Sequence, residues 1–197
     1  HLWASGVVRE DPKIDRRGPR ARFAWNVLRD QVNDWDGTAV ISHEFFAGAT
    51  EQQAARAMAD LAGAEVHVVV TARDTVSLVT ARWQEFVKNG STARIDDYPA
   101  DEATTPHDEW DWGSMDLADV LGRWGATLPP ERVHVLTLPK PDEPRDTLWL
   151  RFAGLLGIDA TRCDPGAAEV NESLGVVEVE LLRRVNADLE GFGRAVD

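Results

Sequence analysis

The sequence predicts an α/β domain: a parallel sheet flanked by helices. Three observations predict it. Short β-branched runs recur at Thr38–Ser42, Val66–Thr71 and Val133–Leu138. Each is followed, after a loop, by a segment with helical apolar spacing, and strands alternating with helices imply right-handed βαβ crossovers with a sheet covered on both faces. The chain has 197 residues, 43% of them hydrophobic, enough for one sizeable core, so a single domain over 1–197 is expected.

Taken in order, residues 1–18 are polar, rich in charge and limited by Pro12 and Pro19, which predicts a poorly structured lead-in with one short apolar piece at Leu2–Val8. Over Ala21–Trp35, Phe23, Val27, Leu28 and Val32 fall at helical spacing and define the expected inner face. The run Thr38–Ser42 is the first predicted strand, leading to His43, Glu44, Phe45 and Phe46 in a loop closed by Gly48. Thr50 and Gln53 have the spacing of a capping box for a helix running to Ala62. The second strand, Val66–Thr71, ends in Thr-Ala-Arg-Asp and enters a helix over Thr75–Asn89 stopped by Gly90. Residues 91–113 lack a clean period, contain Pro99 and Pro106 and are strongly acidic, which predicts a loop or lid. Ser114 is the expected cap of a helix over Met115–Trp124. The third strand, Val133–Leu138, precedes Pro139, Lys140 and Pro141; a helix over Thr147–Leu156 ends at Gly157, and a last helix spans Val176–Leu189. Three strands make a narrow sheet with two edges, so either the lead-in supplies another strand or an amino-terminal part of the domain is missing from this chain, and the second is the expectation.

Composition excludes several classes. A formal net charge of −13 argues against a nucleic-acid surface. A local anion site remains compatible with that charge, because cations and amides in a cleft outweigh distant charge that salt screens. The single cysteine, Cys163, excludes an internal disulfide and supplies too little sulfur for a zinc site, no apolar run approaches the roughly 18 residues of a membrane span, and no signal peptide opens the chain. The expected setting is cytoplasmic, with no metal, no nucleic acid and no membrane partner; oligomeric state is open. No phosphate loop ending in Gly-Lys-[Ser/Thr], no dinucleotide fingerprint, no Gly-x-Ser-x-Gly elbow and no His/Cys cluster is present.

Open α/β sheets bind ligands at the carboxyl ends of their strands, where the three predicted strands place His43 and Glu44, Arg73 and Asp74, and Lys140. A general base, a guanidinium clamp and an ammonium could converge there. Each also has a plain reading: His43 and Glu44 as caps or ion-pair partners, Asp74 as the cap of its helix with Arg73 as a local pair, Lys140 as a solvated side chain. His67 and His134 stand second in their strands and, like His107, read as packed or exposed. Trp83, Trp124 and Trp149 read as core, whereas Trp110 and Trp112 are candidates for a lid or acceptor contact.

The order of a strand ending Thr-Ala-Arg-Asp, a helix containing Trp83, the sequence Leu-Pro-Pro-Glu-Arg-Val-His-Val-Leu, and a helix ending Phe-Ala-Gly-Leu-Leu-Gly-Ile-Asp resembles sulfotransferase-family proteins, most of all actinobacterial members. The resemblance covers most of Thr38–Leu189. It implies a P-loop NTPase-like sulfotransferase fold, amino-terminally truncated, and transfer of a sulfuryl group from 3′-phosphoadenosine 5′-phosphosulfate (PAPS) to a hydroxyl or amine of a small-molecule or glycan acceptor. Arg73 would grip the nucleotide 3′-phosphate, and His43 or Glu44 would be the base. The family's phosphosulfate loop of the Pro-Lys-x-Gly-Thr-Thr kind is absent, and so is its late Gly-x-x-Gly-x-x-Lys segment. Ala81 stands where the family carries a serine, leaving Thr80 as the neighbouring hydroxyl, about 100° around the helix. Ser173, after Asn171 and Glu172, is the late candidate for a phosphate contact. Two other readings follow: a sulfotransferase-like binding or scaffold module without catalysis, and a nucleotide-dependent kinase of the related P-loop class.

Overall fold

The computed structural model describes residues 1–97, 112–140, 142–144, 146–164 and 174–189. The protein is mixed α/β. Helices dominate, and the described strands β1 (Val68–Ala72) and β2 (Val133–Thr137) pair in a small parallel sheet. Both fall on predicted strands. The third prediction fails: Thr38–Ser42 has no ladder partner among the described residues, Val40 is 47% exposed, and the Ser42 N–H donates instead to His1 Nδ1 at 3.1 Å. A β-branched run becomes a strand only where another strand satisfies its backbone. No residue of β1 or β2 is fully buried, although most are half-buried.

The chain divides into two units. The first comprises His1–Val70 and Ala103–Val135. Its opening is ordered, against the expected poorly structured lead-in: α1 (Leu2–Val8) buries Ala4, Ser5, Gly6 and Val8. Ser5 can enter that face because its hydroxyl donates to the Leu2 carbonyl at 2.7 Å. A Cβ at Gly6 would lie 2.5 Å from Ile14 Cδ1, so any larger residue there would have to displace the end of that side chain. The predicted helix over Ala21–Trp35 is two pieces, α2 (Pro19–Arg22) and α3 (Ala24–Asn33), joined at Phe23. Its inner face is Ala21, Trp25, Leu28 and Val32; Phe23 and Val27 are 60% and 51% exposed. Trp25 has more area to bury than either, which sets the rotation of the helix.

Around Trp25 gather Ala4, Val8, Ala49 and Ala57, with Phe46, Leu61 and Trp124 partly buried against them. Phe46 packs edge-on to Trp25 and Trp124 at centroid distances of 6.2 and 5.8 Å, and the Trp25 indole N–H donates to Asp60 at 2.7 Å. Helix α4 (Glu51–Asp60) carries the expected capping box, with Thr50 Oγ1 accepting from Gln53 N and Gln53 Oε1 from Thr50 N. Ser114 is not the cap of the next helix. Instead α6 (Trp112–Met115) and α7 (Leu117–Gly125) are separated by Asp116, whose carboxylate accepts from the N–H groups of Ala118 and Asp119, while Ser114 is buried. A carboxylate taking two amides satisfies more of the helix start than a single hydroxyl.

The second unit comprises Thr71–Glu102 and Leu136–Asp197. It contains α5 (Thr75–Lys88), α8 (Thr147–Leu156) and α9 (Val176–Asp188). Trp83, Val87 and Val179 form its core, with Leu174 and Leu182 against them. Asn186 of α9 donates to the carbonyls of Val87 and Ser91 at 2.7 and 3.0 Å, closing the end of α5. Gly157 stops α8 at φ 66, a left-handed backbone suited to glycine.

Candidate functional site

At the carboxyl end of β1, Ala72 leads into Arg73 and Asp74 and then directly into α5. Asp74 takes the plain role foreseen for it: it is the N-cap, and its carboxylate accepts the Ser77 N–H at 2.9 Å. Hydrogen bonding from the Ser77 side chain, and then from its backbone, holds the Asp74 carboxyl below its ordinary value. Arg73 is exposed, and no hydrogen bond or ion pair engages its guanidinium among the described residues. Thr80 lies two turns into α5 from its cap, where its hydroxyl donates to the Val76 carbonyl at 2.8 Å. That proton is therefore committed to the helix, and only the oxygen lone pairs remain for other partners.

The end of β2 lies beside this corner, because the Leu138 N–H donates to the Ala72 carbonyl at 2.9 Å. Lys140 follows two residues later, exposed, and its ammonium likewise has no acid partner among the described residues. Glu143, the nearest described acid on that segment with a hydrogen-bond role, spends one oxygen on the Lys140 N–H at 2.8 Å. Its other oxygen faces the Arg151 guanidinium at 3.4 Å. Two cations thus leave neighbouring strand ends of a chain whose formal net charge is −13.

His43 and Glu44 belong to the first unit. His43 is the N-cap of the turn Glu44–Gly48, with Nδ1 accepting the Phe45 N–H at 3.2 Å and its ring 4.7 Å from the Phe45 ring. Glu44 Oε2 is 3.4 Å from the same nitrogen. The two contacts demand different protonation states, because Nδ1 accepts from Phe45 only when it bears no hydrogen and pairs with Glu44 only when it does. In the first state the neutral ring carries its hydrogen on Nε2, leaving no free basic nitrogen. Arg123 fixes the turn by donating to the carbonyls of Ala47 and Gly113 at 2.8 and 2.6 Å. Ser173 and Trp110 lie outside the described residues, as does most of the expected loop over 91–113; Trp112 opens α6.

One cluster escaped the sequence reading. His67 Nδ1 and His134 Nε2 are 2.9 Å apart with nearly parallel rings, His67 Nε2 is 3.2 Å from Glu65, and Arg132 pairs with Glu65 at 2.9 Å. The signal was available: both histidines stand second in their predicted strands, and equal positions in adjacent parallel strands are neighbours. Hydrogen bonding from His67, then the Arg132 charge, holds the Glu65 carboxyl below its ordinary value. An open apolar groove of about 800 Å³, lined in part by Leu2, Trp3, Phe23 and Val27, contains none of the candidate residues. Among the described residues no group of three or more His, Cys, Asp or Glu side chains is arranged to hold a metal, and no helix is long and apolar enough to cross a membrane.

Comparison with family profiles, with curated proteins and with solved structures finds no match to the chain.

Proposed function

We propose that the chain carries the nucleotide-gripping corner of a sulfotransferase, with the P-loop NTPase-like fold that the sequence resemblance implies. The observation that supports it best is the pair of exposed cations, Arg73 and Lys140, neither held in a hydrogen bond or ion pair by its side chain among the described residues, leaving adjacent parallel strands beside the Ala72–Leu138 hydrogen bond. A guanidinium offers a phosphate two parallel N–H donors, and a neighbouring ammonium adds a point charge without imposing geometry. Arg73 would take the 3′-phosphate of PAPS. In the transfer the bond between sulfur and the bridging phosphate oxygen breaks, and sulfur bonds to the acceptor oxygen or nitrogen. The acceptor's proton passes to a base, and adenosine 3′,5′-bisphosphate leaves. The base is Glu44 or His43; with Nδ1 of His43 serving as a cap acceptor, Glu44 is the one whose proton-accepting oxygens are open to solvent. Thr80 and Ser173 would supply hydroxyls to the nucleotide, and the acceptor is a small molecule or glycan.

The test follows release of adenosine 3′,5′-bisphosphate from PAPS with phenol, amine and sugar acceptors. Acceptor-dependent release that falls at least about a hundredfold in Glu44→Gln, in keeping with loss of a general base, is expected. A second reading, a binding or scaffold module without transfer, draws on Ala81 and on the committed nitrogen of His43. It predicts nucleotide binding with no acceptor-dependent release, so turnover excludes it.

A further inference from the structure

We infer that Arg151 is a positioning residue, holding the segment after β2 so that Lys140 stands beside Arg73; the inference rests on the nucleotide reading above. Arg151 lies in α8, one turn past its start, and its guanidinium reaches back to the end of β2. There Nη1 donates to the Thr137 carbonyl and to Thr137 Oγ1, the latter at 3.1 Å. Nη2 faces Glu143 Oε1 at 3.4 Å. Glu143 then closes on Lys140 twice, its Oε2 accepting the Lys140 N–H at 2.8 Å and its own N–H donating to the Lys140 carbonyl at 3.0 Å. The Leu138 N–H on Ala72 completes the set.

These bonds bracket Pro139 and close on the backbone of Lys140. A single guanidinium therefore ties the last residue of the strand to the far end of the turn that presents Lys140. Only arginine can span both acceptors, because its donors form a rigid fork, whereas a lysine ammonium is one point. The ion pair has an electrostatic effect as well. Glu143 is three residues from Lys140, and its pairing with Arg151 offsets part of the negative charge that this carboxylate brings to the turn. Both partners are about two-thirds buried, with side-chain exposures of 33% and 35%, so screening weakens the pair less than at an open surface.

Amide exchange and nucleotide affinity test the inference together. In Arg151→Met, exchange of the Leu138 and Lys140 amides should quicken at least about tenfold, the loss expected when about 1.4 kcal/mol of local protection is removed. The dissociation constant for adenosine 3′,5′-bisphosphate should rise by a similar factor. Lys140→Ala, which should weaken binding in the wild-type background, should cost nothing further in Arg151→Met. Arg151→Lys, which keeps the charge and loses the fork, should fall between. Unchanged exchange rates overturn the inference, whether or not nucleotide binds. A full Lys140→Ala penalty in the Arg151→Met background also overturns it, since a residue that only stabilises the fold would leave that penalty intact. Failure of the wild-type chain to bind bisphosphate overturns the nucleotide reading, and the exchange rates then still decide whether Arg151 holds the turn.

Discussion

At the scale of single residues, the corner after β1 sets a cap against a clamp. Asp74 satisfies the start of α5 and at the same time places a carboxylate next to Arg73. Asp74→Asn separates the two effects, because asparagine caps about as well as aspartate while removing the charge. If Arg73 holds an anion, this variant should bind adenosine 3′,5′-bisphosphate about fivefold more tightly, the factor for roughly 1 kcal/mol between close charges in water, with an unchanged melting temperature. If Arg73 serves only as a local partner of Asp74, affinity will not move. Glu180 provides a pH-dependent readout. Hydrogen bonds from Arg183 and then Arg184 lower its pKa from 4.5 to about 2. A depressed carboxyl stabilises the fold fully above its ordinary value and loses that contribution as pH falls through the folded one. The melting-temperature gap between the chain and Glu180→Gln should therefore be widest above pH 4.5 and close towards pH 2. A gap independent of pH would contradict the pairing.

At the scale of elements, the helix ends were the most readable part of the sequence. Thr50 with Gln53, Asp74 before α5 and Gly157 after α8 all act where their spacing or backbone preference places them, because a cap is decided within four residues. Thr50→Ala should cost about 1 kcal/mol in urea unfolding, since it removes one side of the capping box. What was not legible depends on contacts distant in sequence. Asn186 reads as an ordinary polar helix residue, yet it is buried and holds the carbonyls of Val87 and Ser91. Asn186→Ala should destabilise by about 2 kcal/mol, the desolvation of carbonyls left without a donor, and the loss should show in the same unfolding curves. The split between α6 and α7 was missed for a related reason: Ser114 has a cap's hydroxyl, and only the coordinates show it buried while Asp116 takes the amides at the start of α7.

At the scale of the whole molecule, the strand count separates expectation from structure. Val66–Thr71 and Val133–Leu138 contain strands that find each other, whereas Thr38–Ser42 is also β-branched and has no partner among the described residues. Strand propensity reports fitness for a pleated surface and says nothing about whether a neighbour exists. Mixed α/β character was therefore legible, and the extent of the sheet was not. The candidate site divides in the same way. Arg73 could be placed at a strand end from sequence alone, while the exposure of Lys140 without an acid partner among the described residues, the Arg151 tie and the commitment of His43 Nδ1 required coordinates. With a formal net charge of −13, any anion must bind through local cations, and its affinity should fall as salt screens them. The most direct test is a calorimetric titration of adenosine 3′,5′-bisphosphate into the wild-type chain and Arg73→Ala at low ionic strength. Saturable binding to the wild type, weakened about 10- to 100-fold in the variant by loss of a charge-assisted bidentate contact, is the predicted result. No saturable binding, or equal affinity in the two chains, would contradict it.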